Sequence, residues 1–99
     1  MTDHHIFVGI ALEGACLTLE QLAAACAVEP AWIVQRVGEG LIPAASGLPE
    51  EWRFTPRALQ RARRMREIER DFEAVPELAA LVADMLEEID ELRSRLSSA

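Results

Sequence analysis

The charged side chains of this chain are sorted along it, and the sorting limits the chemistry open to it. Seven of its ten arginines lie between positions 53 and 70, lysine is absent, and every charged residue from 71 to 91 is acidic. Paired carboxylates such as Glu87 and Glu88 could in principle serve as a general acid and base. They lie, however, in a segment whose other face is apolar, and a solvated helix face is the simpler reading. The sequence offers no Ser/His/Asp set, no Cys near a His, no glycine-rich phosphate loop and no metal-ligand spacing. No enzymatic role and no cofactor is expected. His4 and His5 sit beside the chain start with no further ligand nearby, so they read as solvated. Cys16 and Cys26 form no CxxC pair and are flanked by Ala and Leu, which predicts two buried, reduced thiols.

The arginines could do a different chemistry, the binding of phosphate. Arg57, Arg61, Arg64 and Arg53 share one side of a predicted helix, and Arg63, Arg66 and Arg70 another, which would make a basic stripe. Against this stand the many carboxylates within reach, Glu67, Glu69, Asp71, Glu73 and the acidic segment that follows. Pairing with them, with the stems lying over apolar surface, is the favoured reading. The formal net charge of −7 also opposes non-specific contact with nucleic acid and favours a basic protein partner.

Ninety-nine residues suit one domain with a modest core. No run approaches the roughly 18 apolar residues of a membrane span. No basic region precedes the first apolar run, so no signal peptide is expected and the chain is placed in the cytoplasm. Residues 4–13, "HHIFVGIALE", alternate with period two and predict a half-buried strand. Thr18 with Gln21 is a capping box opening a helix over 19–26, with Leu19, Leu22, Ala23 and Cys26 on its buried face. "AVEP" is a turn, and Pro30 starts a second helix that Gly38 or Gly40 ends. Ile33 and Val37 should face the first helix. The middle of the chain is loop, closing in "EWRF", a short strand expected to pair with residues 6–12. Thr55-Pro56 opens a third helix that runs to about Phe72, with Leu59, Ala62, Met65 or Arg66, Ile68 or Glu69, and Phe72 spaced for one buried stripe.

The first two helices have the outline of a helix-turn-helix, "LTLEQLAAACAVEPAWIVQRVGEGLI". A DNA reader carries Arg, Lys, Asn or Gln on the first turns of its second helix. Those turns here read "PAWIVQ", with one Gln and no cation. After Val75-Pro76 a last helix follows over about 76–96. Val75, Leu78, Val82, Met85, Ile89, Leu92 and Leu96 step by three and four, the pattern of a coiled-coil seam, and Leu81 and Leu86 widen it. Self-association through this seam is favoured over an intramolecular hairpin, so a homodimer is expected. The architecture predicted is mainly α: one domain over 1–99, with a winged helix-turn-helix-like body over 1–56 that includes a small strand pair. An arginine-rich helix over 56–73 and a heptad helix over 76–97 complete it.

Taken in order, "LTLEQLAAACAV", "EGLIP" at 39–43, "EWRF" at 51–54, "RR…RD" at 63–71 and "EIDELRSRL" near the end resemble CbpM, the bacterial chaperone-modulator family, over residues 17–96. Each piece alone is weak; their order and spacing are specific. Similar proteins carry a Gly- or Asn-containing link between the two long helices, whereas this chain reads "FEAVPEL", which would alter the angle between them. The resemblance implies a fold related to the winged helix-turn-helix of MerR regulators. It also implies binding to the J-domain of CbpA, a DnaJ-like co-chaperone, blocking its stimulation of DnaK and suppressing its DNA binding.

A J-domain engages DnaK through a basic helix, so a protein covering that helix should present carboxylates with apolar anchors. Charge and exposure nominate Asp84, Glu87, Glu88 and Glu91 on the last helix, and Glu39, Glu50, Glu51 and Trp52 around the loop. The alternative reading is a MerR-like DNA-binding transcriptional regulator, carried by the helix pair and the arginine cluster; the missing first-turn cations argue against direct nucleic-acid binding.

Overall fold

A computed structural model describes residues 16–44 and 47–98, the last without its side chain. The described residues are mainly helical, with α1 at Leu19–Cys26, α2 at Pro30–Gly38, a 3-10 turn at Pro49–Glu51, α3 at Pro56–Phe72 and α4 at Pro76–Ser98. The chain divides into two compact units, one ending at Arg63 and the other beginning at Arg64. No helix among the described residues is long and apolar enough to cross a membrane.

The helix starts follow from their capping residues. The Thr18 Oγ1 accepts a hydrogen bond from the Gln21 amide at 3.1 Å, and the Thr18 amide donates to Gln21 Oε1 at 2.9 Å. This reciprocal box satisfies two donors that a helix N-terminus leaves unpaired. Pro30 occupies the first turn of α2, where its missing N–H removes no helical bond. At α3 the Thr55 hydroxyl accepts from the Ala58 amide at 3.1 Å, ahead of Pro56.

The helix ends are less uniform. At α2 the Leu41 amide donates to the Arg36 carbonyl at 2.8 Å and the Gly40 amide to Val37 at 3.0 Å, with Gly40 at φ 77°. That is a Schellman stop built on glycine. The same pair of bonds closes α1, from Val28 to Ala23 at 3.0 Å and from Ala27 to Ala24 at 3.2 Å, but the left-handed residue is Ala27 at φ 58°. After α3 the left-handed position falls on Glu73 at φ 52°. Both positions carry a Cβ where glycine would carry none, at a cost of about 1 kcal/mol each.

In the first unit α1 packs on α2. Leu17, Leu19, Leu22, Ala23, Cys26, Ile33, Ile42, Trp52, Phe54, Ala58, Leu59 and Ala62 are buried. Leu17 and Phe54 exchange both backbone hydrogen bonds at 2.8 Å, an isolated antiparallel bridge that pins the chain before α1 to the chain before α3. Phe54 is fully buried, with its ring 6.1 Å from that of Trp52 in an edge-on arrangement. Truncating Phe54 to Ala would remove about 3–5 kcal/mol of stability.

The "EWRF" segment pairs at Phe54 with Leu17, so the strand pair is reduced to a single bridge among the described residues. The strand predicted over 4–13 lies outside the described residues, as do His4 and His5. Cys16 is exposed while Cys26 is buried, because the capping box at Thr18 places Cys16 ahead of the helix rather than on its inner face. In the predicted stripe of α3, Leu59, Ala62 and Met65 are buried, Ile68 is half-buried, and Phe72 is 76% exposed. Phe72 is the last residue of α3, followed at once by the left-handed Glu73.

Candidate partner-binding surfaces

The one cation of α2 is held inside the chain. Arg36 is only 6% exposed. Its guanidinium carbon lies 4.0 Å from the Trp32 ring centre, and its Nη1 donates to the Trp32 carbonyl at 3.2 Å and to Gln35 Oε1 at 3.0 Å. Arg36 follows Trp32 by four residues, so the two side chains lie one above the other on the same helix face. The helix that would read a base edge therefore presents no free positive charge.

The arginine-rich α3 is similarly engaged. Arg61 Nε donates to the Leu41 carbonyl at 2.6 Å, tying the segment after α2 to α3. Arg64 pairs with Asp90 of α4 at 2.7 Å and Arg70 with Asp71 at 3.0 Å, while Arg53 Nη1 donates to the Trp52 carbonyl at 2.7 Å. The Arg64–Asp90 pair is partly exposed, so it contributes no more than about 1 kcal/mol. Arg57 and Arg63 are exposed and line a shallow groove with Pro56, Leu59 and Gln60. Of the carboxylate pairing expected for this cluster, Arg64–Asp90 and Arg70–Asp71 are present, while Arg53 and Arg61 bond backbone carbonyls.

The acidic residues divide between the two units. On α4, Asp84, Glu88 and Glu91 are exposed and Glu87 is half-buried. Their spacing of i, i+3, i+4 and i+7 places all four on one face as a carboxylate ridge. Glu91 Oε1 accepts from Arg95 Nη2 at 3.3 Å, an i, i+4 pair along the helix. In the first unit Glu39 caps α2 and Glu50 and Glu51 form the 3-10 turn, all three exposed. Glu51 Oε1 also accepts from the Leu48 amide at 3.2 Å, so it holds its own turn closed.

Trp52 does not belong to this exposed set. It is buried, with its indole Nε1 donating to the Gly47 carbonyl at 3.3 Å. The large apolar side chain left outside beside Glu50 and Glu51 is Leu48, 59% exposed. Leu48 carries no signal in the sequence, because a single apolar residue between Gly47 and Pro49 has no periodicity to mark it.

Along α4, Leu78, Leu81, Met85, Ile89, Leu92 and Leu96 are between 42% and 77% exposed. Val82 and Leu86 are half-buried, toward the buried Ala79 and Ala83. Val75, just ahead of the helix, is exposed as well. The helix therefore buries its small alanines and leaves its large apolar residues in solvent. At about 100° per residue, the exposed stripe runs beside the carboxylate ridge, with Asp84 and Glu88 next to Leu81 and Met85. Compared with the predicted seam and the residues widening it, the exposed stripe keeps Leu81, while Val82 and Leu86 are half-buried. Among the described residues no group of His, Cys, Asp and Glu is placed to hold a metal ion.

A family model described as MerR HTH family regulatory protein matches residues 17–98 of the chain. The chain is similar to the chaperone modulatory protein CbpM of Pseudomonas entomophila (strain L48), 31% identical over 81 residues, covering 82% of this chain and 80% of the relative. It is similar also to the chaperone modulatory protein CbpM of Pseudomonas putida (strain W619), 33% identical over 66 residues, covering 67% of this chain and 65% of that relative. No solved structure matches the chain.

Proposed function

The chain belongs to the CbpM chaperone modulators within the MerR HTH family, and from that premise we propose that it binds the J-domain of a CbpA-type co-chaperone. On this reading it acts by occlusion, without catalysis or cofactor, in the cytoplasm. Covering the basic helix of the J-domain blocks the stimulation of DnaK, and the same contact suppresses DNA binding by the co-chaperone.

The observation that carries the reading is the juxtaposition, on the exposed side of α4, of the ridge Asp84, Glu87, Glu88, Glu91 with a stripe of large apolar residues. Carboxylates steer a basic surface and fix its register, while apolar side chains supply most of the affinity. Glu39, Glu50 and Glu51, with Leu48 as the apolar neighbour, form a second candidate contact in the first unit.

The stripe also supports a homodimer. Leu78 and Leu96 lie about 27 Å apart along the helix. Apolar residues recurring by three and four over that length suit packing against an equivalent helix. Exposed apolar surface so extended is uncommon on a chain that stays alone.

Titration of the chain into a purified J-domain at low salt tests the reading. Saturable binding that weakens as salt rises is expected. Absence of binding at on the order of 50 μM would remove the proposal. The alternative, a DNA-binding regulator, keeps the helix pair, the family model and the exposed Arg57 and Arg63 in its favour; against it, Arg36, Arg61 and Arg64 are engaged within the chain.

A further inference from the structure

Self-association and partner binding meet on the same helix, and the charges of α4 couple them. The helix holds Glu77, Asp84, Glu87, Glu88, Asp90 and Glu91 against Arg93 and Arg95, within a chain of formal net charge −7. Arg95 is paired with Glu91 of its own helix and Arg64 with Asp90, so neither of these arginines is paired with Glu88. Asp84, Glu88 and Glu91 border the exposed apolar stripe along its middle.

A second copy seated on the stripe brings a second ridge to about one helix diameter, roughly 10 Å. That distance is about one Debye length at ordinary salt, so the two ridges repel. The repulsion is greatest when the helices run antiparallel, because the two ridges then lie on the same flank of the shared seam; in a parallel pair they lie on opposite flanks, and only the net negative charge of the two helices opposes pairing.

We infer that pairing of two copies through α4 is opposed by their own carboxylates and is reinforced by a cationic helix bound at the ridges. The closed pair offers a partner more negative potential than one copy does. A basic helix therefore binds the pair more tightly than the single chain, and by linkage it strengthens the pairing by the same factor. The identity of the basic partner rests on the chaperone-modulator reading; the salt behaviour of the chain alone does not.

Sedimentation velocity over a dilution series reads both parts. The chain alone should pair about fivefold more tightly on going from about 50 mM to about 500 mM salt. A variant with Asp84→Asn, Glu88→Gln and Glu91→Gln should pair tightly at low salt and lose that response. Pairing that weakens with salt, a neutralised variant that behaves like the parent, or a chain that never pairs would each overturn the inference. In the partner arm, adding a full-length CbpA-type co-chaperone at low salt should raise the fraction of paired chains. A complex holding a single copy of the chain overturns the coupling. Failure of the co-chaperone to bind removes the proposed function, and the salt arm still decides the repulsion.

Discussion

The guanidinium of Arg36 lies over the ring of Trp32 at 4.0 Å, with the residue almost wholly removed from solvent. The contact converts the one cation of the would-be reading helix into part of the body. Stacking of this kind contributes roughly 0.5–2 kcal/mol, more when water is excluded. Replacing Trp32 with Leu should lower stability by an amount in that range, measured by denaturant melts. An unchanged midpoint would mean that the stacked pair contributes nothing in solution.

The same burial predicts weak contact with DNA. Gel-shift titration with duplex fragments at about 150 mM salt should show no retained complex, since Arg36, Arg61 and Arg64 are engaged within the chain and its formal net charge is −7. If a complex does form, and Arg61→Ala with Arg64→Ala abolishes it, the regulator reading gains what the chaperone reading loses.

Charge reversal on α4 probes the partner surface. Glu88 is exposed, and Glu88→Lys should weaken J-domain binding by about tenfold at low salt, chiefly through a slower association rate. The difference from the parent should shrink as salt is raised. Trp52→Leu, by contrast, should lower stability and leave the affinity of the folded protein unchanged, because Trp52 is buried.

Backbone conformation gives a prediction of opposite sign. Ala27 sits at φ 58° and Glu73 at φ 52°. Ala27→Gly and Glu73→Gly should each raise stability by about 0.5–1 kcal/mol, since relief of the left-handed Cβ outweighs the added freedom of the unfolded chain. Gly40→Ala, at φ 77°, should lower it by about 1 kcal/mol. Thermal melts of the three variants check the signs together.

The two thiols should separate kinetically. Cys16 is exposed and Cys26 buried, so an aromatic disulfide reagent should modify one thiol quickly and the second only as the chain unfolds. Two equally fast thiols would contradict the packing of α1.

The sequence by itself determined the helices and where they start, because the signals are local. Thr18 with Gln21, Pro30, and Thr55 with Pro56 each satisfy or remove backbone donors within three or four residues, and each stands at a helix start. The stop at Gly38 or Gly40 was legible for the same reason. The apolar spacing of α4 was likewise legible, although spacing alone could not say which side of the stripe the chain itself covers. Only the tertiary structure decided that Ala79 and Ala83 are buried while Leu78, Met85 and Leu92 stay in solvent. It also moved Trp52 inward and left Leu48 and Phe72 outside, and it gave Arg36, Arg61 and Arg64 partners within the chain. Period and charge are properties of the chain one residue at a time; burial and pairing depend on what lies opposite, and that is set by segments far apart in sequence.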